Sequence, residues 1–162
     1  MVRSMYQQRG FSLIELMITI AIMGILVVAG IALTAQWAKQ AELDKAIWSL
    51  QSAISSARAV ALRNEFAKDG GIVTSQLCFD STNHRITIHE ASTGTAANCS
   101  NTANYSYPLA DSVDIKQSDG ETAFSCFAFD NRAQLIVGTA SCSTSLHLTV
   151  INGGLNENKT FD

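Results

Sequence analysis

Proline is nearly missing from this 162-residue chain, with Pro108 alone, so proline-rich linkers and polyproline ligands are excluded. Charge is also sparse, at 15% of residues against about 25% in an ordinary soluble domain. Basic residues thin out along the chain until Arg132 and Lys159 are the only ones after Lys116. A nucleic-acid surface needs a basic stripe, and none is present. Catalytic patterns are missing too. There is no Gly-x-Ser-x-Gly elbow and no phosphate-cradling glycine loop, and no two cysteines stand two to four residues apart as zinc sites require. His84 and His89 are five apart, which on a strand sends them to opposite faces, and His147 alternates with Leu146 and Leu148 on the solvent side. Neither an enzyme nor a cofactor or metal is expected.

What is present divides unevenly. Apolar residues make up 47% and mean hydropathy is +0.14, yet between Phe11 and Ala38 the only ionisable side chain is Glu15. Outside that stretch the chain is polar and rich in Ser, Thr and Asn. Residues 1–10 hold Arg3 and Arg9 and no acid, so the remainder carries nine basic and fourteen acidic residues, a net of −5. Residues 11–35 are long enough, at about 1.5 Å per residue, to cross a hydrocarbon core of roughly 30 Å. The basic leader would remain cytoplasmic and everything after residue 35 would lie across the membrane. The apolar run exceeds the length of a cleaved secretory signal core. A carboxylate inside such a span costs about 3 kcal/mol at the bilayer centre, which makes Glu15 a functional hypothesis.

Gly10-Phe11-Ser12-Leu13-Ile14-Glu15-Leu16 resembles the class III signal of type IV prepilins and type II secretion pseudopilins. A short basic leader ends in Gly, Phe follows, and an acid stands four residues later at the start of a long apolar helix. The resemblance implies cleavage between Gly10 and Phe11 by a prepilin peptidase, and N-methylation of Phe11 by the same enzyme. It also implies that Glu15 neutralises the new amine of its own or a neighbouring subunit. A pair desolvated among packed helices adds little net stability, but stranding either charge costs several kcal/mol, so the pair sets register.

The helix is expected to continue to about residue 68, stopped by Asp69-Gly70-Gly71. Leu43, Ile47, Leu50, Ile54, Ala57 and Ala61 recur in steps of four and three as its core stripe, with Lys39, Glu42, Lys45, Gln51, Arg58 and Arg63 opposite. Trp37 and Trp48 read either as interface anchors or as core and subunit contacts. Where many major pilins place a proline, this chain has Ala32 and offers only Gly24 and Gly30 as weak points. After Gly71, residues 72–79, 84–90, 122–130, 134–137 and 145–152 read as strands, with hairpins at Ser81-Thr82-Asn83 and at Asp130-Asn131. Phe124, Phe127 and Phe129 point to a strand buried on both faces, and residues 91–121 to a long polar loop. Four cysteines, Cys78, Cys99, Cys126 and Cys142, allow three pairings. Cys78–Cys99 with Cys126–Cys142 is favoured, since each closes a loop of about 15–20 residues and adds roughly 3 kcal/mol.

The expected architecture is therefore α+β and type IV pilin-like. A leader at 1–10 precedes a membrane or filament helix at 11–36 and an amphipathic helix at 37–68. A small antiparallel β domain with two disulfides occupies 69–162. Within pilin-like proteins the chain is similar to the family of the H pseudopilin, FimT and the minor pilin FimU. Ser56-Ala57-Arg58-Ala59-Val60-Ala61 resembles its Ala-Arg-x-x-Ala segment. Phe127 to Ala133 resembles its Phe-x-x-x-Gly element, with Ala133 replacing the glycine, and Leu148 to Gly154 resembles its last strand and terminal glycine. DNA-receptor members flank that glycine with arginines, whereas here Gly154-Leu155-Asn156-Glu157 offers an acid and no cation, which argues against DNA binding. The resemblance to FimU implies a structural minor pilin near the pilus tip. It would prime assembly and join other minor pilins to the major pilin on the inner-membrane assembly platform, with prepilin peptidase as processing partner. It would sit in the bacterial inner membrane with its C-terminal domain periplasmic, and afterwards in the extracellular pilus. An H-type pseudopilin of type II secretion and a DNA-uptake pilin are the alternative readings. Replacing Gly10 with isoleucine is expected to leave uncut precursor in the membrane, read by intact mass; a normally processed variant overturns the leader assignment.

Overall fold

A computed structural model describes residues 11–66, 72–136 and 142–161. Helix α1 spans Leu13–Arg63. It opens where the Ser12 carbonyl accepts from the amides of Glu15 and Leu16, at 3.1 and 3.2 Å. Glu15 sits in this first turn, where its negative charge complements the exposed amides, and Arg63 sits in the last. The chain separates into two compact units, Met1–Ala38 and Lys39–Asp162. In the first, helical residues such as Leu13, Ile18, Met23 and Val28 are all exposed. Residues 13–38 carry no charge but Glu15, and among the described residues α1 is the one helix long and apolar enough to cross a membrane.

The second unit is built on a stripe of α1. Leu43, Ile47, Leu50, Ile54, Ala57 and Ala61 are all buried, with Ala46 and Ala53 beside them. Each large member contributes about 1.5–3 kcal/mol on leaving water, and the alanines let strands approach closely. Two antiparallel sheets share this core. Strands β1 (Ser75–Asp80), β2 (Arg85–Glu90), β3 (Ala103–Pro108) and β5 (Cys126–Phe129) form one, ordered β3-β2-β1-β5. Strands β4 (Val113–Gln117), β6 (His147–Asn152) and β7 (Leu155–Thr160) form the other, ordered β4-β6-β7. Leu77, Ile86, Ile88, Phe127 and Phe129 supply the core from the first sheet, and Val113, Ile115, Leu148 and Val150 from the second. A satellite cluster of Val73, Ala91, Ala97 and Ala128 lies on the first sheet's other face.

Several expectations need correction. The helix ends at Arg63, because Asn64 takes over the chain reversal. Its Oδ1 accepts from the Phe66 amide at 2.8 Å, while its Nδ2 donates to the Ala91 carbonyl and to Glu90. Lys68 and the Asp69-Gly70-Gly71 stop lie outside the described residues. Arg58 is not on a solvent face: its guanidinium lies 5.8 Å from the centre of the Phe129 ring, a cation–π distance. Trp37 and Trp48 are each 71% exposed, so neither is a core residue.

The stretch expected as a loop at 91–121 contains β3 and β4. Ala103–Pro108 is a mostly exposed edge strand whose polar sequence hides it, and Val113 and Ile115 alternate with Asp114 and Lys116 over too few residues to stand out. Residues 122–130 are not one strand, since the chain changes sheets within them. Ala123 bridges Lys116 of β4, whereas 126–129 joins β1. Phe124, Phe127 and Phe129 all enter one core, and Cys126 and Ala128 provide the other buried side of β5. Residues 134–136 form a single bridge, Phe129 to Leu135, rather than a strand, and the end of that expected element lies outside the described residues. A further strand, β7, follows the turn at Gly153, whose φ of 62 sends the chain straight back along β6; its polar, mostly exposed sequence carries no strand signal.

The Phe127–Ala133 element explains a local cost. Asp130 accepts from the amides of Arg132 and Gln134 and forces Ala133 to φ 59, a conformation a Cβ disfavours by about 1–2 kcal/mol. Replacing Ala133 with Gly is expected to stabilise the domain by about 0.5–1 kcal/mol, the relieved strain less the entropy of a freer unfolded chain. Thermal unfolding checks it, and an unchanged or lower midpoint contradicts it.

Candidate functional site

Two regions carry chemistry. At the N-terminal end, Gly10 lies outside the described residues. Phe11 is 85% exposed, ahead of the first helical turn that contains Glu15. The sequence places the acid four residues after Phe11, one helical turn on. Leu13, Ile14, Leu16 and Met17 surround it with exposed apolar side chains. A carboxylate within an uncovered apolar helical surface is suited to meeting a cation once that surface is covered by other helices.

The second region is the outer face of the first sheet. Cys78 is bonded to Cys99 and Cys126 to Cys142. Cys78 on β1 and Cys126 on β5 are direct cross-strand partners, so the two disulfides lie side by side. They border an open groove of about 700 Å³ lined also by Gln76, Asp80, Arg85 and Thr87. Among the described residues no cluster of His, Cys, Asp and Glu is placed to hold a metal ion.

The histidines do not converge. His84 occupies the β1–β2 turn at φ 44 rather than a strand. His89 is buried beneath the outer face, its Nε2 2.9 Å from the Thr87 hydroxyl. His147 is exposed on β6, its Nδ1 2.8 Å from the Thr160 hydroxyl. His89 is bonded within its own strand, His147 to the neighbouring strand β7, and His84 is held in a turn, so the three do not share a site.

One polar cluster was not legible in the sequence. Asn152, buried at the end of β6, donates from Nδ2 to the Lys39 carbonyl at 2.9 Å and to Glu42 Oε2 at 3.1 Å. Ser112 donates to the same carboxylate oxygen at 3.0 Å. Each of these bonds joins residues 70 or more positions apart along the chain. Only the Asn-Gly-Gly spelling of the β6–β7 turn hinted at a special position there. This cluster fastens the second sheet to α1.

The fold is that of type IV pilin-like proteins, a long N-terminal helix packed on a small antiparallel β domain with two disulfides. Residues 5–31 match the prokaryotic N-terminal methylation motif, the segment characteristic of type IV prepilin-like chains. That motif implies processing by prepilin peptidase and assembly with other pilins. No curated protein and no solved structure matches the chain.

Three carboxylates, Asp80 and Asp119 at turns and Glu42 on α1, contribute to the domain's acid response. Asp80 is held below the ordinary carboxylate range chiefly by the Asn83 side-chain amide, then by the amides of Asn83 and Thr82. Asp119 is lowered by the Thr122 hydroxyl, then by the amides of Thr122 and Glu121. Glu42 is lowered by Asn152 and then by Ser112. Each is depressed on folding, so in acid the unfolded chain binds more protons. The stability they add is present above their ordinary values near about 4 and is lost as pH falls through the folded ones. The urea midpoint of the full chain is therefore expected to hold steady from neutral pH to about 5 and to fall below about 4. Asp119→Asn should flatten part of that fall; an unaltered profile contradicts the assignment.

Proposed function

We propose that this protein is a minor type IV pilin, a non-enzymatic structural subunit at or near the pilus tip. It helps prime assembly and links the minor-pilin complex to the major pilin, and so serves pilus biogenesis, twitching motility and adhesion. The observation that carries this reading is the coincidence of the methylation motif at 5–31 with Glu15 in the first turn of an uncovered apolar helix. Cleavage between Gly10 and Phe11 leaves a cationic amine on Phe11, which becomes the site of N-methylation. Residues 11–36 then serve as the membrane anchor and, after assembly, as the filament-packed segment. The domain beyond lies in the periplasm before assembly, where disulfides persist, and outside the cell in the pilus.

Glu15 is the register residue. Its carboxylate meets a Phe11 amine within the packed helices, and any offset strands both charges at a cost of several kcal/mol. An H-type pseudopilin of a type II secretion system uses the same helix and processing, and recovery from sheared pili separates the two. DNA uptake is disfavoured because Leu155-Asn156-Glu157, on strand β7 after the terminal glycine, offers an acid and no cation for phosphate.

Protein recovered from sheared pili is expected to begin at a methylated Phe11 by N-terminal sequencing. Glu15→Ala should still be cleaved in the membrane but fall at least about tenfold in the pilus fraction, consistent with the loss of a desolvated charge pair. A variant that enters pili like wild type overturns the register role, and failure to find the native protein in pili overturns the pilus assignment.

A further inference from the structure

We infer that the outer face of the first sheet is a thiol–disulfide exchange site, in which Cys78 can trade its partner Cys99 for Cys126. The observation is the register. Cys78 and Cys126 are opposed across β1 and β5, and the Phe79 amide donates to the Ser125 carbonyl, the next pair along. Opposed residues beside such a bonded pair form the non-hydrogen-bonded type, with Cα atoms about 4.5 Å apart and side chains close together. That separation lies within the range a disulfide spans. On the other side of β5, the Cys126 carbonyl accepts from the Ser143 amide, which holds Cys142 beside Cys126 with Cα atoms 4.6 Å apart. Cys126 therefore stands between two cysteines, bonded to one and placed to accept the other.

The neighbours favour exchange. Cys78, Cys99 and Cys126 all line the open groove, so a thiol from solvent or from a partner protein has access to the first disulfide. Gln76 Nε2 donates to Cys142 Sγ at 2.9 Å. A thiolate leaving on Cys142 would keep that donor, and stabilising the leaving sulfur speeds attack.

The reactant is a dithiol, such as a thiol oxidoreductase of the compartment. One of its thiolates attacks Cys99 Sγ, forming a mixed disulfide and releasing Cys78 as the thiolate. Cys78 attacks Cys126 Sγ; the Cys78–Cys126 bond forms and Cys142 departs as a thiolate. The second thiol of the dithiol then resolves the mixed disulfide and frees Cys99. The chain has gained two electrons and two protons, the dithiol has become a disulfide, and one intrachain bridge remains. That bridge joins β1 to β5 directly and leaves the segments around Cys99 and Cys142 untied while the sheet stays clamped.

Full-length Cys99→Ser, acid-quenched, alkylated and peptide-mapped, tests the step. A Cys78–Cys126 linkage with alkylated Cys142 is expected alongside the native Cys126–Cys142 bond. Finding Cys78 as the sole alkylated cysteine overturns the inference. Wild-type chain treated with limiting dithiothreitol gives a second reading that needs no variant. A one-bridge species joined through Cys78 and Cys126 is expected, and the appearance of only native bridges and fully reduced chains refutes it. Gln76→Leu should slow formation of that species about tenfold, the worth of one hydrogen bond to an anion; an unchanged rate removes Gln76 from the exchange.

Discussion

The β domain depends on one stripe of helix. From Leu43 to Ala61 the apolar positions of α1 combine branched side chains with alanines, and both sheets close on them. Such burial is non-directional, so it fixes which face of the helix is covered without fixing what covers it. The choice is made by a few directional bonds. Tyr107 donates to Ser56 from β3 at 2.9 Å, Asn64 binds the end of β2, and Asn152 holds the start of the stripe. A buried amide left without these partners costs more than its bond contributes, so each contact acts mainly against alternative seatings.

The same helix carries two surface chemistries in succession. Up to residue 38 it is apolar around its whole circumference; from residue 39 it is apolar along a stripe. An isolated apolar cylinder has no soluble arrangement, so the first segment requires lipid or other helices. A carboxylate in such a segment is costly while unpaired, which is why Glu15 carries the proposed function. Under the proposed function the methylation motif and the carboxylate serve one end, processing to create an amine and a position to receive it.

The domain is thinly built at its outer face. Among the described residues the buried satellite core there is Val73, Ala91, Ala97 and Ala128, and the two disulfides stand on the same face. Small domains that bury little apolar surface commonly rely on disulfides for this reason. Because both bridges start from adjacent positions on β1 and β5, they stabilise one region twice, and that proximity is what makes re-pairing sterically possible.

The long apolar segment, the helix stripe and the change to strands after residue 71 were legible because each is a periodic or compositional property of contiguous residues. Glu15 was legible for the same reason, as a single charge in an apolar run. Strands β3 and β4 were not, since an exposed edge strand and a five-residue strand carry too few apolar positions to signal themselves. Nor was the seating of Arg58 over Phe129, which depends on a strand some seventy residues away. What the chain determined by itself was which segments leave water. Tertiary structure alone decided that residues 122–129 divide between two sheets, that Asn152 reaches back to Lys39, and that Cys78 faces Cys126. These follow from register and chain reversal, long-range geometry that local periodicity does not encode.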